Sequence, residues 1–298
     1  MMKKWIATVL AVTFLAAGVS AAKVEAATKI VRSDMPIEVL YDARKIVFDV
    51  KPKMVSGSVL VPIRFVSDKL GGQLAVNGKE ITIVKGDRTL KLTMNSRSAS
   101  FNGKAVTLAQ PAMVENGRTL VPLRAVSEGL GTAVEWDGVN QFVWIGHKDI
   151  PDIHDAVPAE DFEPYLPYYK GFEFFSENNY GKTRTKVHLV KDSDLPIKIR
   201  SYYIYRIDKA FDSKGDSYIR FSTTLTGSLG LTVPFLKKGE FKVQQEASYL
   251  LESLENKVRI RYVSLNDRKT KVDLNKTDYF SIPEDIEGAV LFKNKWRS

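Results

Sequence analysis

Hydrophobic and polar positions fall into three regimes along the chain. Near the start, "IATVLAVTFLAAGVSAA" (6–22) is an uncharged apolar run behind the basic head "MMKKW". That layout predicts a secretory signal peptide over residues 1–27, cleaved after Ala22 or Ala26. Next come two short stretches of helical periodicity. Ile63, Val66 and Leu70 sit at i, i+3, i+7, and so do Leu123, Val126 and Leu130. Each spacing places one apolar stripe on a two-turn helix. Pro62 and Pro122 suit the first helical position, and Gly71 and Gly131 suit the left-handed stop. Beyond residue 170 the pattern turns mostly to period two, in runs such as "TKVHLV", "IKIRSYYIYRI", "SYIRFSTTL" and "VRIRYVSL". These β-branched and aromatic runs predict strands. "EASYLLESLENK" (246–257) is the one helix expected there.

The helical stripes belong to a string written twice. Gly57–Gly78 aligns without gaps on Gly117–Gly138, with ten identities in 22 positions, where composition alone gives about one. Likeness extends to short strand-like runs on either side, giving units at roughly 38–86 and 98–146. Each unit reads as strand, strand, short helix, hairpin. A two-turn helix is marginal alone in water, so the two units are expected to share one core. The expected fold is an α+β N-terminal domain of two strand-helix-hairpin repeats, then a mainly antiparallel β domain with one helix. Expected boundaries are 1–27 for the leader, 28–147 for the duplicated domain and 170–298 for the β-rich domain. Residues 148–169 carry four prolines with Asp149–Glu163 rich in acid, and read as an extended linker.

Composition narrows the function classes. The chain has 298 residues and no cysteine, which excludes a disulfide framework, a thiol nucleophile and a lipoprotein anchor. Net charge is +9, spread along the chain without a basic stripe, so nucleic acid is not an expected partner. Membrane contact is expected only through the leader before cleavage. The mature protein is expected to be secreted, with cell-wall association a further expectation, its partner an anionic cell-wall polymer or another envelope protein. No nucleophile elbow, zinc-protease helix or phosphate-binding loop occurs, and no catalytic residue, metal or cofactor is expected. Carboxylates such as Glu173, Glu177, Asp208 and Asp216 keep a polysaccharide hydrolase as an alternative. A small-ligand carrier is a further alternative.

The string Asn116–Gly138, "NGRTLVPLRAVSEGLGTAVEWDG", resembles the bacterial family called copper amine oxidase N-terminal-like, or stalk, domain. The upstream copy is degenerate, with Phe65 and Val76 where the other has Ala125 and Trp136. The resemblance covers about residues 38–146. It implies an exported protein, typically of Gram-positive bacteria, with this module beside a variable partner domain. It does not imply copper chemistry, because the chain has three histidines and no His-x-His. The reading that follows is a non-catalytic envelope protein, with a spacer or adhesion module and a binding domain.

Five residues are candidates for ligand contact. Arg64 and Arg124 occupy the same point of both units and suit a paired anion site. Asp68 and Glu128, four residues on, favour helical ion pairs instead. Trp136 suits a sugar platform, as does Trp144, but their counterparts Val76 and Ile83 favour burial. Tyr203 and Tyr205 alternate in "SYYIYR" and suit a binding face. His147 and His154 in "HKDIPDIHD" match no ligand spacing.

Overall fold

The computed structural model describes residues 28–178, 180–226, 231–254, 257–266, 270–282 and 288–297. The leader lies outside them. Among the described residues no helix is long and apolar enough to cross a membrane.

The expected α+β N-terminal domain is corrected. Among the described residues strands make up 49 % and helical residues 13 %, so this is a mostly β protein with many sheets. The reason is length. Helix α1 (Ile63–Leu70) and helix α2 (Leu123–Gly129) are two turns each, while strands fill nearly everything between them. Pro122 closes a strand and stands at the N-cap of α2, without a side-chain cap. Gly131 ends that helix at φ +81°, its N–H reaching Glu128 O at 2.9 Å.

Three sheets surround the N-terminal core. In one, strand Ser58–Pro62 lies antiparallel to Arg118–Pro122, with Val61 opposite Val121 and Leu60 opposite Pro122. Equivalent positions of the doubled string therefore meet at a local two-fold. The other sheets exchange partners between halves. Phe142–Ile145, from the second half, runs parallel to Glu38–Tyr41 from the first. Gln73–Asn77 and Glu80–Lys85, from the first, share a sheet with Ser98–Phe101 and Lys104–Thr107 through an intervening strand, Arg88–Thr93. Val39, Val61, Ile81, Ile83, Leu90, Val121 and Val126 fill one cluster. Neither half encloses it alone.

The C-terminal domain is a sandwich of two six-stranded sheets. The first orders Ile30–Ser33, Tyr202–Asp212, Ser217–Thr223, Arg259–Ser264 and Glu252–Ser253, with Ile197–Ile199 also on Tyr202–Asp212. Residues 30–33, upstream of the duplicated units, thus pair with the C-terminal sheet. The second orders Ala159–Asp161, Lys186–Val190, Ala289–Lys293, Tyr279–Ser281, Thr232–Lys237 and Glu240–Gln245. Ile204, Phe221 and Val263 face Val233, Phe280 and Phe292 in one buried cluster, with Phe221 edge-on to Phe280 at 6.2 Å.

Two further expectations give way here. The helix over 246–257 is a 3-10 turn at Ser248–Leu250 followed by strand Glu252–Ser253; residues 255–256 lie outside the described set. Pairing with Arg259–Ser264 and burial of Ala247 and Leu250 override the helix propensity of this stretch. Residues 148–169 are packed rather than extended. Helix α3 (Ile153–Ala156) is capped by Asp152, Ala159–Asp161 adds a strand, and Phe162 and Tyr169 are buried. They cover the outer face of the second sheet against Val187, Leu236 and Leu291. Burial on both faces explains why Ala289–Lys293 reads "AVLFK" without alternation.

Candidate functional site

The two domains meet at a joint built on the outer face of the first sheet. On Tyr202–Asp212, Arg206 and Asp208 are two residues apart and share that face. Arg206 donates twice to Asp208, Nε to Oδ2 at 2.6 Å and Nη2 to Oδ1 at 2.9 Å, with both side chains 1 % exposed. Its Nη1 donates to Asn140 O and, at 3.3 Å, to Pro36 O. The guanidinium also lies 5.2 Å from the Phe142 ring centroid. Burial disfavours the Arg206 charge, but the bonds from Asp208 outweigh it and hold the pKa above the usual value. Arg220 stands opposite Asp208 in the ladder and donates to Val139 O at 3.2 Å. Beside it, Lys45 of the N-terminal domain bridges Glu38 at 2.9 Å and Asp192 at 3.2 Å, while Lys295 holds Asp192 at 2.6 Å. Burial raises the Asp192 pKa; Lys45 and Lys295 more than reverse it, and the net shift is downward.

The sequence-named residues are scattered across this frame. Tyr203 and Tyr205 do lie side by side, ring centroids 6.1 Å apart. Tyr205, however, packs on Leu40, Ala43, Phe142 and Trp144 of the N-terminal domain, so it belongs to the joint. Burial, then Tyr203 and Asp137, raise its pKa. Trp144 is buried, whereas Trp136 is 37 % exposed on the edge strand Val134–Asp137, where its counterpart Val76 is 51 % exposed. That position faces outward in both units, against the expectation of burial. Arg64 lines a surface hollow of about 240 Å³ with Val76, Arg118 and Asp49; Arg124 does not line it. Arg118 holds Asp49 at 2.6 Å, and Arg124 reaches Glu128 at 3.7 Å with both side chains exposed. The two arginines therefore do not converge on one site.

A second surface, which the sequence reading passed over, lies on the opposite outer face of the sandwich. Phe162 and Tyr169 anchor residues 162–176 to the second sheet, and 3-10 turns at Glu163–Tyr169 and Glu173–Ser176 present the intervening rings. Phe172 stacks on Phe241 at 4.6 Å and 16°, and Phe175 meets Phe241 at 5.2 Å. Tyr165 and Tyr168 stand edge-on to Tyr279 at 5.5 and 5.3 Å. Phe174 is 79 % exposed and Phe172 45 %, so this aromatic shelf is open; Tyr180, on the next turn, is 83 % exposed. Backbone bonds hold it rigid, among them Phe172 N to Tyr169 O at 2.8 Å and Phe175 N to Phe172 O at 3.0 Å. Tyr165 OH donates to Glu160 at 2.5 Å; burial, then Glu160, push its pKa up. The aromatic content of 162–180 was the available signal, masked by the prolines and acids that read as a linker.

Chemically, the shelf offers flat apolar faces with carboxylates around them. Asp208 is on the joint and Glu173 beside the shelf, so these two acids do not share a cleft. A hollow of about 170 Å³ in this domain is lined by Lys237, Glu240, Lys242, Asp273 and Lys276, a charged rather than apolar lining. His188 is buried with Nδ1 on Val157 O at 2.6 Å and His154 edge-on at 4.9 Å, while His147 lies by Asp42 and Asp149. Among the described residues no three His, Cys, Asp or Glu side chains gather for a metal. This donor set does not fit copper.

Residues 40–145 match the model of the copper amine oxidase N-terminal domain family. That segment is therefore a copper amine oxidase N-terminal-like domain, and the C-terminal half has no family. No curated protein matches the chain.

Proposed function

We propose that this is an exported, non-catalytic protein of the cell envelope, in which the 40–145 domain is a rigid spacer and the sandwich carries the contact surface. The observation that carries the reading is the placement of joint and shelf. Arg206 and Tyr205 fasten one outer face of the sandwich to the stalk-type domain, while the exposed rings of Phe172 and Phe174 lie on the other. A spacer fixed this way points the shelf away from itself. Contiguous exposed apolar surface on a folded domain marks an interaction site. The leader-like run at 6–22 supports export, and the stalk-type domain supports an envelope setting.

Co-sedimentation with purified cell-wall sacculi tests this. The chain lacking residues 1–27 should pellet with sacculi at physiological salt. Full recovery in the supernatant, together with no retained envelope protein partner, would overturn it.

A further inference from the structure

We propose that the aromatic shelf binds a neutral glycan chain, stacking sugar rings on Phe172 and Phe174 with Tyr180 exposed on the adjoining turn; this rests on reading the sandwich as the contact-bearing domain. Three features of the surface select that class. The first is shape. Phe172 and Phe241 form a stacked pair at 4.6 Å, and Phe174 stands edge-on to Phe175 at 5.7 Å, so exposed ring faces lie at more than one angle. Flat rings bury the apolar C–H face of a sugar without needing a deep pocket.

The second is rigidity. A segment that dips into a lipid surface needs no fixed backbone, but these rings stand on 3-10 turns anchored by Phe162 and Tyr169, which are 0 % and 2 % exposed. Asn178 Oδ1 closes the next turn, accepting from Tyr180 N at 2.9 Å and Lys182 N at 3.1 Å. A backbone already fixed by such turns adds little ordering cost on binding.

The third is charge. Residues 160–186, which carry the rings, hold Glu160, Asp161, Glu163, Glu173 and Glu177 against Lys170, Lys182, Arg184 and Lys186, and Lys186 sits on Asp161 at 2.7 Å, so the surround is close to neutral. A near-neutral surround has no net positive field to gather phosphate-bearing polymer or anionic lipid. It suits hydroxyl-rich neutral rings, whose O–H groups donate to carboxylates. The shelf thus favours a neutral chain over the anionic wall polymer that net charge alone suggested.

The test titrates a hexamer of N-acetylglucosamine and a glucose hexamer into the chain lacking residues 1–27, followed by NMR and calorimetry. Phe174→Ala and Tyr180→Ala remove exposed rings, so folding should survive, which amide spectra check. Binding of at least one hexamer, with shifts at Phe172, Phe174 and Phe241 and at least tenfold weakening in the double variant, is the expected result. Binding to neither hexamer, unchanged affinity in the double variant, or binding instead to phosphatidylglycerol vesicles overturns the proposal. Sacculus retention that ignores the double variant sinks the glycan shelf but leaves the envelope reading standing. Hexamer binding without sacculus retention does the reverse.

Discussion

Arg206 of the sandwich donates to the main-chain carbonyl of Asn140 in the stalk-type domain while gripping Asp208 with its other two nitrogens. One guanidinium thus completes a buried ion pair and fastens Asn140, while Arg220 donates to the neighbouring Val139 O. Both groups are out of water, so each needs the other.

Removing one partner strands the other. Arg206→Met should cost about 3–5 kcal/mol in urea unfolding, because Asp208 keeps a buried charge with only Arg220 at 3.7 Å and Lys295 at 3.9 Å to compensate. The double variant Arg206→Met, Asp208→Leu should recover only part of that loss, because Arg220, 6 % exposed, then loses its own carboxylate. A single variant as stable as wild type would show the pair to be dispensable.

Asp192 makes the joint acid-sensitive. Its folded pKa is depressed overall by Lys45 and Lys295 against burial. A depressed carboxylate contributes stability above its unfolded value of about 3.9, and that contribution disappears as pH falls through the folded value. The urea midpoint should drop between pH 5 and 3 more steeply in wild type than in Asp192→Asn. Parallel pH profiles for the two proteins would contradict the assignment.

Gly129 lies in α2 with Phe101 Cε1 only 2.6 Å, and Leu90 Cδ2 3.4 Å, from the place of a Cβ. Alanine normally stabilises a helix interior by about 1 kcal/mol over glycine. Here Phe101 packs on the core and Leu90 is fully buried, so overpacking at about 1–3 kcal/mol outweighs the gain. Gly129→Ala should lower the thermal midpoint; a rise would mean the ring moves aside freely.

The exchanged strands make each half dependent on the other. A fragment spanning 38–86 loses the Phe142–Ile145 partner of Glu38–Tyr41 and the Arg118–Pro122 partner of Ser58–Pro62. It would expose Val39, Leu40 and Val61, all buried in the whole domain. Its amide NMR spectrum should show the narrow dispersion of an unfolded chain. A dispersed, cooperative fragment would refute the shared core.

The sequence exposed the doubled string and the paired prolines and glycines, because these rest on local backbone rules. It did not reveal that Val61 pairs with Val121 or that Phe142–Ile145 crosses to the other half, since strand partners are long-range choices. Arg206 falls in a run that reads as a strand, but Asp208 stands in the sequence only as one of several acids; that the two pair on a buried face depends on a second domain covering that face. Residues 162–176 misled for a physical reason: prolines and acids mark an extended chain, yet Phe162 and Tyr169 anchor one to a sheet just as well. The stretch 246–257 has helix-forming composition, and pairing with Arg259–Ser264 overrode it.

The central claim is that the stalk-type domain holds the sandwich in one orientation. Residual dipolar couplings measured on the chain lacking residues 1–27 test this directly, with residues 40–145 and 186–223 fitted separately. The account predicts the same alignment tensor, in magnitude and direction, for both sets, and divergence on Arg206→Met. Two different tensors in the wild-type protein would contradict it, because the domains would then reorient independently and the shelf would have no fixed bearing.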